Sequence, residues 1–457
     1  MSKIVCGLDI GSTKICAIVG RLNDLGGIDV LGIGHAPSDG VKRGIVENID
    51  KTIEAIKQAV RAAEQHSNVE IKLVHVGIAG EHIRSKQHKG IITLNNPDAE
   101  ITAFDVARLH EDMHKISIPA GNKIIHVIPI EYCVDNQYSI REPIGMSGVR
   151  LEGNFHIITG QTTAIKNIFR CVKKAGLEVE DLILEPIASS HAVLTEDEKE
   201  AGVCLVDIGG GTTDIAIFED HAIRHTAIIP FGGNIITEDI KAGLSIMKRQ
   251  AEKLKIDSGC ALESAITRDE IIIVPALGDK EPTEIRKSIL ARIIQARLSE
   301  IFYAVHREIE IAGYKRTKLP GGIVVTGGGS QMAHLRQLVE YITGIDCRTG
   351  YVQEHISRGF TSEVRNPMYS TGMGLVIYGL KHNPIISETN IESLNQDSIS
   401  GGQDNLLLST LSRQKQKVTA AEEVAEQNQP ENKKAGFFGK IRGFLEDTVS
   451  GANQLLD

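Results

Sequence analysis

The sequence predicts a mixed α/β protein built from two related halves, and three observations support this prediction. Short apolar runs typical of strands alternate with longer segments that have helical periodicity. The connections are short and rich in glycine, of which the chain has 45 against 13 prolines. A strand, a glycine turn and a second strand occur together once in each half, at residues 9–14 (DIGSTK) and 207–214 (DIGGGTTD).

Strands are predicted where apolar runs are bounded by glycine or by polar turns. The predicted strands are residues 3–10, 15–20, 71–78, 124–134, 154–159, 203–208, 215–218 and 323–326. Helices are predicted over 50–64, 234–256 and 284–311, because their apolar residues recur every three or four positions. With 457 residues, the chain is long enough for two to four domains.

The composition excludes several classes of protein. The formal net charge is −9, so there is no basic excess for general nucleic-acid binding. The seven cysteines include no CxxC pair and lie mostly in apolar runs, so we expect buried core residues in a reducing cytosol. The N-terminus does not resemble a signal peptide, and no apolar run reaches the ~18 residues of a membrane span. We therefore expect neither a secreted nor an integral membrane protein.

The two glycine turns are predicted to bind phosphate from opposite sides. Glycine lets backbone N–H groups approach an anion closely, and the neighbouring hydroxyl groups and one lysine add further donors. The predicted phosphate ligands are Gly11, Ser12, Thr13, Lys14, Gly209, Gly210, Gly211, Thr212 and Thr213. Asp9 and Asp207 end the preceding strands and suit a hydrated Mg²⁺, which prefers oxygen ligands. The absence of GxxxxGK[ST] and GxGxxG motifs argues against P-loop and Rossmann sites.

A third glycine-rich segment, GGIVVTGGGSQM at 321–332, follows a predicted buried strand. Gly327, Gly328, Gly329 and Ser330 would let the backbone lie flat against a base or a ribose. Alternatively, the segment is a strand-to-helix turn in which Ser330 is the N-cap. The two interpretations are compatible.

The segment HEDMH at 110–114 matches the HExxH pattern of zinc proteases. The third zinc ligand of the extended motif is missing, and Pro119 would end any helix soon after His114. We therefore interpret the segment as a helix with His110, Glu111 and His114 on a polar face, around buried Leu109 and Met113.

The order of these motifs, together with EPIAS at 185–189, resembles the actin, Hsp70 and sugar-kinase superfamily. The stretch HVIPIEYCVDNQYSIREPIGMSGVRLE at 126–152, the loop spacing and the C-terminal segment resemble the FtsA family of bacterial cell-division proteins. The resemblance covers about 3–383 and 436–457. It implies an actin-like two-lobed ATPase fold with a repeated ribonuclease-H-like core, in which an FtsA-type subdomain 1C replaces subdomain 1B.

The resemblance also implies how the chain is divided. Subdomain 1A is expected at 1–84 with 165–200 and 365–383, subdomain 1C at 85–164, subdomain 2A at 201–229 with 306–364, and subdomain 2B at 230–305. The polar stretch 384–433, rich in Gln, Asn, Ser and Glu, is predicted to be a disordered linker. Residues 434–457 are predicted to form an amphipathic, membrane-targeting helix.

By the same resemblance, ATP and Mg²⁺ are expected between the lobes. Glu252 and Lys255 match the family's ribose and base contacts, and Gly327 to Ser330 would lie under the adenine. Asp207 and Glu185 are the candidate catalytic residues, with Glu185 placed to position a water. Glu185 has an alternative interpretation as an ordinary strand-end acid before Pro186, so only slow ATP hydrolysis, or none, is expected.

The C-terminal segment 437–456 has an apolar arc of about 140° when drawn as a helix. The predicted membrane contacts are Phe437, Phe438, Lys440, Ile441, Arg442, Phe444 and Leu445. The two basic residues lie at the borders of the arc, where they can meet lipid phosphates. The alternative is a helix docked on its own domain or on another protein, but a flexible linker in front of the segment favours the membrane.

These features favour an ATP-dependent, membrane-tethered scaffold. The resemblance implies that it assembles with itself into filaments at the cytoplasmic face of the inner membrane, at the division septum. The resemblance names the C-terminal tail of FtsZ as its partner, docked on 230–305, where Arg286, Arg292 and Arg297 could meet an acidic peptide or simply form a solvated helix face. Other division proteins would bind 85–164. The alternatives are a sugar or acetate kinase, an Hsp70-like chaperone and a pilus-assembly ATPase.

Overall fold

A computed structural model describes residues 3–94, 100–275, 282–352 and 356–381 of the chain. The predicted linker and the predicted amphipathic helix lie outside these described residues. Among the helices described, none is long and apolar enough to cross a membrane.

The described residues form two lobes and one inserted sheet. The strands are β1 Ile4–Ile10, β2 Lys14–Leu22, β3 Ile28–Pro37, β4 Val41–Lys42, β5 Ile45–Val46, β6 Leu73–Ile78, β7 Ile83–Thr93, β8 Asn122–Val134, β9 Gln137–Ile140, β10 Arg150–Gln161, β11 Glu178–Leu184, β12 Val203–Ile208, β13 Thr213–Glu219, β14 Ala222–Ile229, β15 Ile271–Val274, β16 Thr283–Arg286, β17 Ile323–Thr326, β18 Cys347–Thr349 and β19 Ile356–Gly359. The helices are α1 Ile49–Ser67, α2 Ala103–His114, α3 Thr162–Lys174, α4 Glu185–Val193, α5 Glu196–Ala201, α6 Gly233–Leu244, α7 Lys248–Ser258, α8 Lys287–Ile311, α9 Leu335–Thr343, α10 Thr361–Val364 and α11 Ser370–Lys381.

The two lobes repeat one arrangement of strands. Lobe 1 contains the sheet β11-β6-β1-β2-β3-β19, and lobe 2 contains the sheet β14-β13-β12-β17-β18. In lobe 1, β1 pairs antiparallel with β2 and parallel with β6; in lobe 2, β12 pairs antiparallel with β13 and parallel with β17. Every residue of β12 is buried, as expected for a central strand covered on both faces. The predicted duplication of the chain is therefore visible in the sheets.

In lobe 1 the sheet is covered by helices on both faces. Helix α1 packs on β2 and β3, and α3 lies beside α1. Helix α11 packs on β1 and β2 and also contacts α4, which lies against β6 and β11. Glycine permits the closest of these approaches: a methyl group on Gly7 would lie 2.6 Å from the carbonyl oxygen of Gly372 in α11.

The inserted sheet has the strand order β7-β10-β8-β9, and α2 packs on it around Leu109 and Phe155. This sheet contacts both lobes. The Ser85 hydroxyl donates to the Thr226 carbonyl of β14 at 2.9 Å, and Nε2 of His156 lies 2.9 Å from the Thr226 hydroxyl. On the other side, the Leu184 N–H of β11 donates to Nε2 of His126 at 3.1 Å. We call this element the bridging sheet.

Two of the predicted helices differ from the structure. The helix predicted over 234–256 is two helices, α6 and α7, because Ser245 adopts a left-handed conformation (φ 52°) that ends α6. The helix predicted from 284 begins at Lys287, since Ile285 belongs to the β15–β16 hairpin. The Ile285 side chain is buried in the hairpin. Because it lies four residues before Ile289, it matched the helical spacing of apolar residues in the sequence.

The HEDMH segment lies on α2, with Leu109 and Met113 buried as predicted. His110 does not lie on a purely polar face: its Nε2 is 2.7 Å from the Tyr132 hydroxyl, and its ring meets Phe155 edge-on. In the described part of the chain, no three His, Cys, Asp or Glu side chains are placed to hold a metal ion by themselves. All seven cysteines are free and buried, which confirms the prediction that they are core residues.

Candidate functional site

A cavity of about 680 Å³ lies between the lobes, within the range of small-molecule sites. Residues from both halves of the chain line it. The predicted site residues that it brings together are Asp9, Gly11, Ser12, Thr13, Lys14, Glu185, Asp207, Gly209, Gly210, Gly211, Thr212, Glu252, Lys255, Gly327, Gly328 and Gly329.

The two glycine turns have the same geometry and contact each other across the cavity. The Gly11 N–H donates to the Lys14 carbonyl at 3.0 Å, and the Gly209 N–H donates to the Thr212 carbonyl at the same distance. A methyl group on Gly211 would lie 2.6 Å from the Ser12 hydroxyl oxygen. The close approach of the two turns therefore requires glycine.

Four carboxylates lie close together beneath these turns: Asp9, Glu185, Asp207 and Asp214. Burial raises the pKa of all four, and repulsion from neighbouring carboxylates raises it further for Glu185, Asp207 and Asp214. The pKa of Asp207 rises to about 6 through burial and the charge of Asp9, and that of Asp214 to about 8 through burial and the charge of Asp207. A divalent cation nearby would relieve this repulsion.

Two lysines provide positive charge on opposite walls of the cavity. The Lys14 ammonium hydrogen-bonds the Met368 carbonyl, lies 3.9 Å from the centre of the Tyr369 ring, and opposes the rise in the pKa of Asp9. Lys255 donates to the Gly233 carbonyl at 2.9 Å and pairs with Glu252 at 2.8 Å. The cavity thus has cations near its walls and acids at its base.

Two predicted site residues do not line the cavity. Thr213 is buried and its hydroxyl donates to the Phe231 carbonyl at 2.8 Å. Ser330 donates to the Gly327 carbonyl at 2.8 Å. The alternative role of Ser330 as an N-cap is wrong, because His334 and not Ser330 occupies the N-cap position of the next helix, α9.

Three arginines predicted to bind a partner lie away from the cavity, on lobe 2. Arg286 pairs with Asp269 at 3.7 Å, and Arg292 pairs with Glu263 at 2.6 Å. Arg297 is less exposed and pairs with Asp239 at 2.6 Å and with Glu300. Arg286 and Arg292 remain about 70% exposed and present their charge to solvent.

Sequence reasoning missed several residues of the site. Thr371 of α11 donates to Oδ2 of Asp207 at 3.2 Å, a contact that joins lobe 1 to lobe 2. Asn234 and Met332 line the cavity. Asp214 closes the second glycine turn, where its Oδ2 accepts from Thr212 at 2.9 Å and its buried Oδ1 has no hydrogen-bond partner among the described residues. The sequence did offer one indication of a role for Asp214, because it is the last residue of the glycine-turn motif DIGGGTTD.

Replacing Asp214 with Asn should stabilise the ligand-free protein at pH 8. An acid whose pKa is raised by folding favours the folded state below its unfolded pKa, near 4, and this stability is lost as the pH rises towards 8. Asn does not titrate, so between pH 5 and 8 the wild type should lose about 3–4 kcal/mol relative to D214N. Urea unfolding at both pH values measures the difference. The control is the exposed Asp24→Asn, and parallel pH profiles for wild type and D214N would contradict the prediction.

The acids and the glycine turns fit a magnesium nucleotide. Oxygen ligands suit Mg²⁺, and its remaining ligands would come from water and phosphate, because no three-residue metal site exists among the described side chains. Glycine-rich turns of this kind suit phosphate, because no side chain at the glycines blocks the approach of an anion to the backbone.

Comparison with protein families gives two matches. The model described as "Cell division protein FtsA" matches residues 204–374, and the one described as "SHS2 domain inserted in FTSA" matches residues 80–159. The second match covers β7, α2, β8, β9 and most of β10, which are the elements of the bridging sheet.

Several characterised proteins are similar over most of their length. A cell division protein FtsA of Pseudomonas aeruginosa is 45% identical over 379 residues, which cover 83% of this chain and 90% of the relative. The FtsA of Escherichia coli K12 is 35% identical over 396 residues, covering 85% and 93%.

A solved structure shares the fold. The PilM–PilN type IV pilus biogenesis complex contains a chain with a TM-score of 0.60 and 14% identity, and the match covers 83% of this chain and 99% of that one. At this identity the likeness concerns the fold alone. Together with the duplicated sheets, it confirms the predicted actin-like, two-lobed α/β architecture.

Proposed function

The chain belongs to the FtsA family of cell division proteins, and we propose that it is an ATP-binding, actin-like protein that tethers the FtsZ ring to the cytoplasmic membrane. The observation that carries the proposal is the pair of glycine turns, one from each lobe, that meet across one cavity. A nucleotide held there would contact both lobes at once.

In this proposal the triphosphate lies between the two glycine turns and Lys14. Asp9 and Asp207 hold Mg²⁺ through water, and Mg²⁺ supplies neutralisation of the phosphate charge. Glu252 and Lys255 contact the ribose and base, and Gly327 to Gly329 lie against the adenine. Glu185 is the candidate for orienting a water, since it is the buried acid whose pKa is raised by three neighbouring carboxylates.

Membrane attachment is proposed from the sequence of 437–456, which lies outside the described residues. Its aromatic and aliphatic arc would enter the lipid interface, while Lys440 and Arg442 meet headgroup phosphates. The protein would then act at the septum, on the cytoplasmic face of the inner membrane, and assemble there with other copies of itself.

Lobe 2 is the proposed dock for the FtsZ tail. The exposed guanidinium groups of Arg286 and Arg292 can attract an acidic peptide. The peptide must compete with Asp269 and Glu263 for these guanidinium groups. Because salt screens interactions between exposed charges, the binding of the peptide should also weaken as salt is added. The bridging sheet is the proposed contact for later division proteins.

Electron microscopy on lipid monolayers with and without ATP and Mg²⁺ tests the proposal. We expect filaments on the lipid that depend on the nucleotide, and retention of adenine nucleotide by the purified protein. A chain that retains no adenine nucleotide even with millimolar magnesium would overturn the assignment. A chain that binds nucleotide but phosphorylates a sugar would identify a metabolic kinase instead.

A further inference from the structure

Helix α3 carries an exposed, uncompensated basic face on lobe 1. Its 13 residues include Lys166, Arg170, Lys173 and Lys174 and no acid, and all four basic side chains are exposed. Within the described ranges, none of the four forms an ion pair or hydrogen bond through its side chain. The chain as a whole carries a net charge of −9, so this basic face is opposite in sign to the protein's overall charge.

The basic face reaches the edge of lobe 1 at which the described chain ends. Helix α3 stops just before β11, whose first residue, Glu178, donates its N–H to the Lys72 carbonyl at 2.8 Å. The last turn of α11 reaches the same end of the sheet, where the Lys3 ammonium donates to the Gly379 carbonyl at 2.7 Å. The described chain therefore ends, at Lys381, at the same end of lobe 1 as the last turn of α3.

We propose that the basic edge, defined as the exposed face of α3, binds anionic lipid headgroups and thereby orients the body of the protein on the membrane. This inference rests on the proposed function, because the C-terminal segment must first hold the chain at the bilayer. The occupant is a lipid surface because its phosphates complement the four unpaired charges and because the tether leaves the body at this edge.

A weak contact is sufficient for this role. About 55 residues separate Lys381 from Phe437 in the sequence. If they form the linker predicted from the sequence, a random coil of that length spans on the order of 40 Å. The body is thus held at a high effective concentration next to the lipid, so its contact with the membrane is an intramolecular event. Each basic side chain near an anionic surface strengthens binding by about fivefold.

The ordinary roles of these residues do not account for all four. Lysines in the last turn stabilise a helix by opposing its dipole, which explains Lys173 and Lys174. Lys166 and Arg170 lie too far from the C-terminus for this effect, which is confined to the last turn. The alternative to an anionic lipid surface is an acidic face on a second copy of this chain, and the two differ in whether variants of α3 lose lipid binding or self-association.

The test uses the full-length variant K173E/K174E and the matched control R249E/K253E. The control makes the same change in charge on exposed residues of α7, in lobe 2. Both are sedimented with phosphatidylcholine vesicles and with vesicles that also contain phosphatidylglycerol. We expect K173E/K174E to bind the anionic vesicles about 25-fold more weakly than wild type and neutral vesicles equally well, while the control stays within about twofold. A second variant, K166Q/R170Q, covers the case in which the first destabilises α3, and it should show the same selective loss.

A second measurement reports orientation directly. Because all seven native cysteines are buried, a cysteine introduced at exposed Thr163 of α3 or at Lys253 of α7 can be labelled selectively. On anionic vesicles, a quencher attached to lipid headgroups should quench the label at 163 more strongly than the label at 253.

The outcomes separate this inference from the proposed function. If wild type binds neither kind of vesicle, the tether itself is wrong. If wild type binds both and the two basic variants keep its preference for anionic lipid, only the basic edge is refuted. Loss of self-association with unchanged lipid binding would assign the edge to a second copy of the chain and would likewise overturn the inference.

Discussion

Replacing Gly327 with Ala should lower the free energy of unfolding by about 3 kcal/mol. Gly327 adopts φ 82°, a conformation that costs a residue with a side chain about 1 kcal/mol or more. The added methyl group would also overlap Oδ1 of Asp207 and lie 2.7 Å from the Ile208 carbonyl oxygen. Overpacking of this kind costs about 1–3 kcal/mol. Because Asp207 would have to move, nucleotide binding should fall as well.

The neighbouring glycine provides a matched control. Gly328 lies in the same triplet and lines the same cavity, but its φ is not positive and no atom lies within 4 Å of an added methyl group. G328A should therefore unfold like the wild type in the absence of ligand. The chain has no tryptophan, so urea unfolding is best followed by far-ultraviolet circular dichroism. Equal stabilities for G327A and G328A would show that the turn does not require glycine at 327.

Replacing Phe437, Phe438 and Phe444 together with Ala should abolish sedimentation with lipid vesicles. Burying one phenylalanine side chain contributes about 1.5–3 kcal/mol, so losing three should weaken binding by at least about a thousandfold. The few basic residues of the segment cannot replace this contribution. Liposome sedimentation of the full-length variant measures the effect.

The control for this experiment removes three aromatic side chains that are exposed elsewhere. Phe104, Tyr303 and Tyr341 are 73%, 60% and 81% exposed, and their replacement with Ala should leave sedimentation unchanged. If the Phe437, Phe438 and Phe444 variant still sediments like wild type, the segment is not the anchor and the docked-helix alternative gains support.

The glycine turns were predictable because their chemistry is local. A backbone that closely approaches an anion or another backbone needs glycine, because a side chain would be in the way. Both turns have a glycine two residues after the aspartate near the strand end, and this spacing can be read from the sequence. The contact between Thr371 and Asp207 could not be predicted, because it joins residues 164 positions apart on different lobes. The same holds for the arrangement of Asp214 and Glu185, which depends on how the lobes pack.

The errors in helix bounds also have local causes. Ser245 ends α6 without the glycine or proline that usually marks such a position.

Strand β7 is absent from the sequence prediction. It contains the polar run KQHK, and its backbone pairing with β10, and not an apolar pattern, holds it in place. Pairing between distant strands leaves little trace in either strand alone.

The bridging sheet restricts how the molecule can move. It is hydrogen-bonded to Thr226 on one lobe and to the Leu184 N–H on the other. The lobes therefore cannot separate by a hinge motion unless the hydrogen bonds to one lobe break or the sheet tilts. Opening of the cleft and tilting of the sheet are therefore coupled. By reciprocity, we expect a protein that binds the outer end of the sheet to change the affinity of the cleft for its ligand.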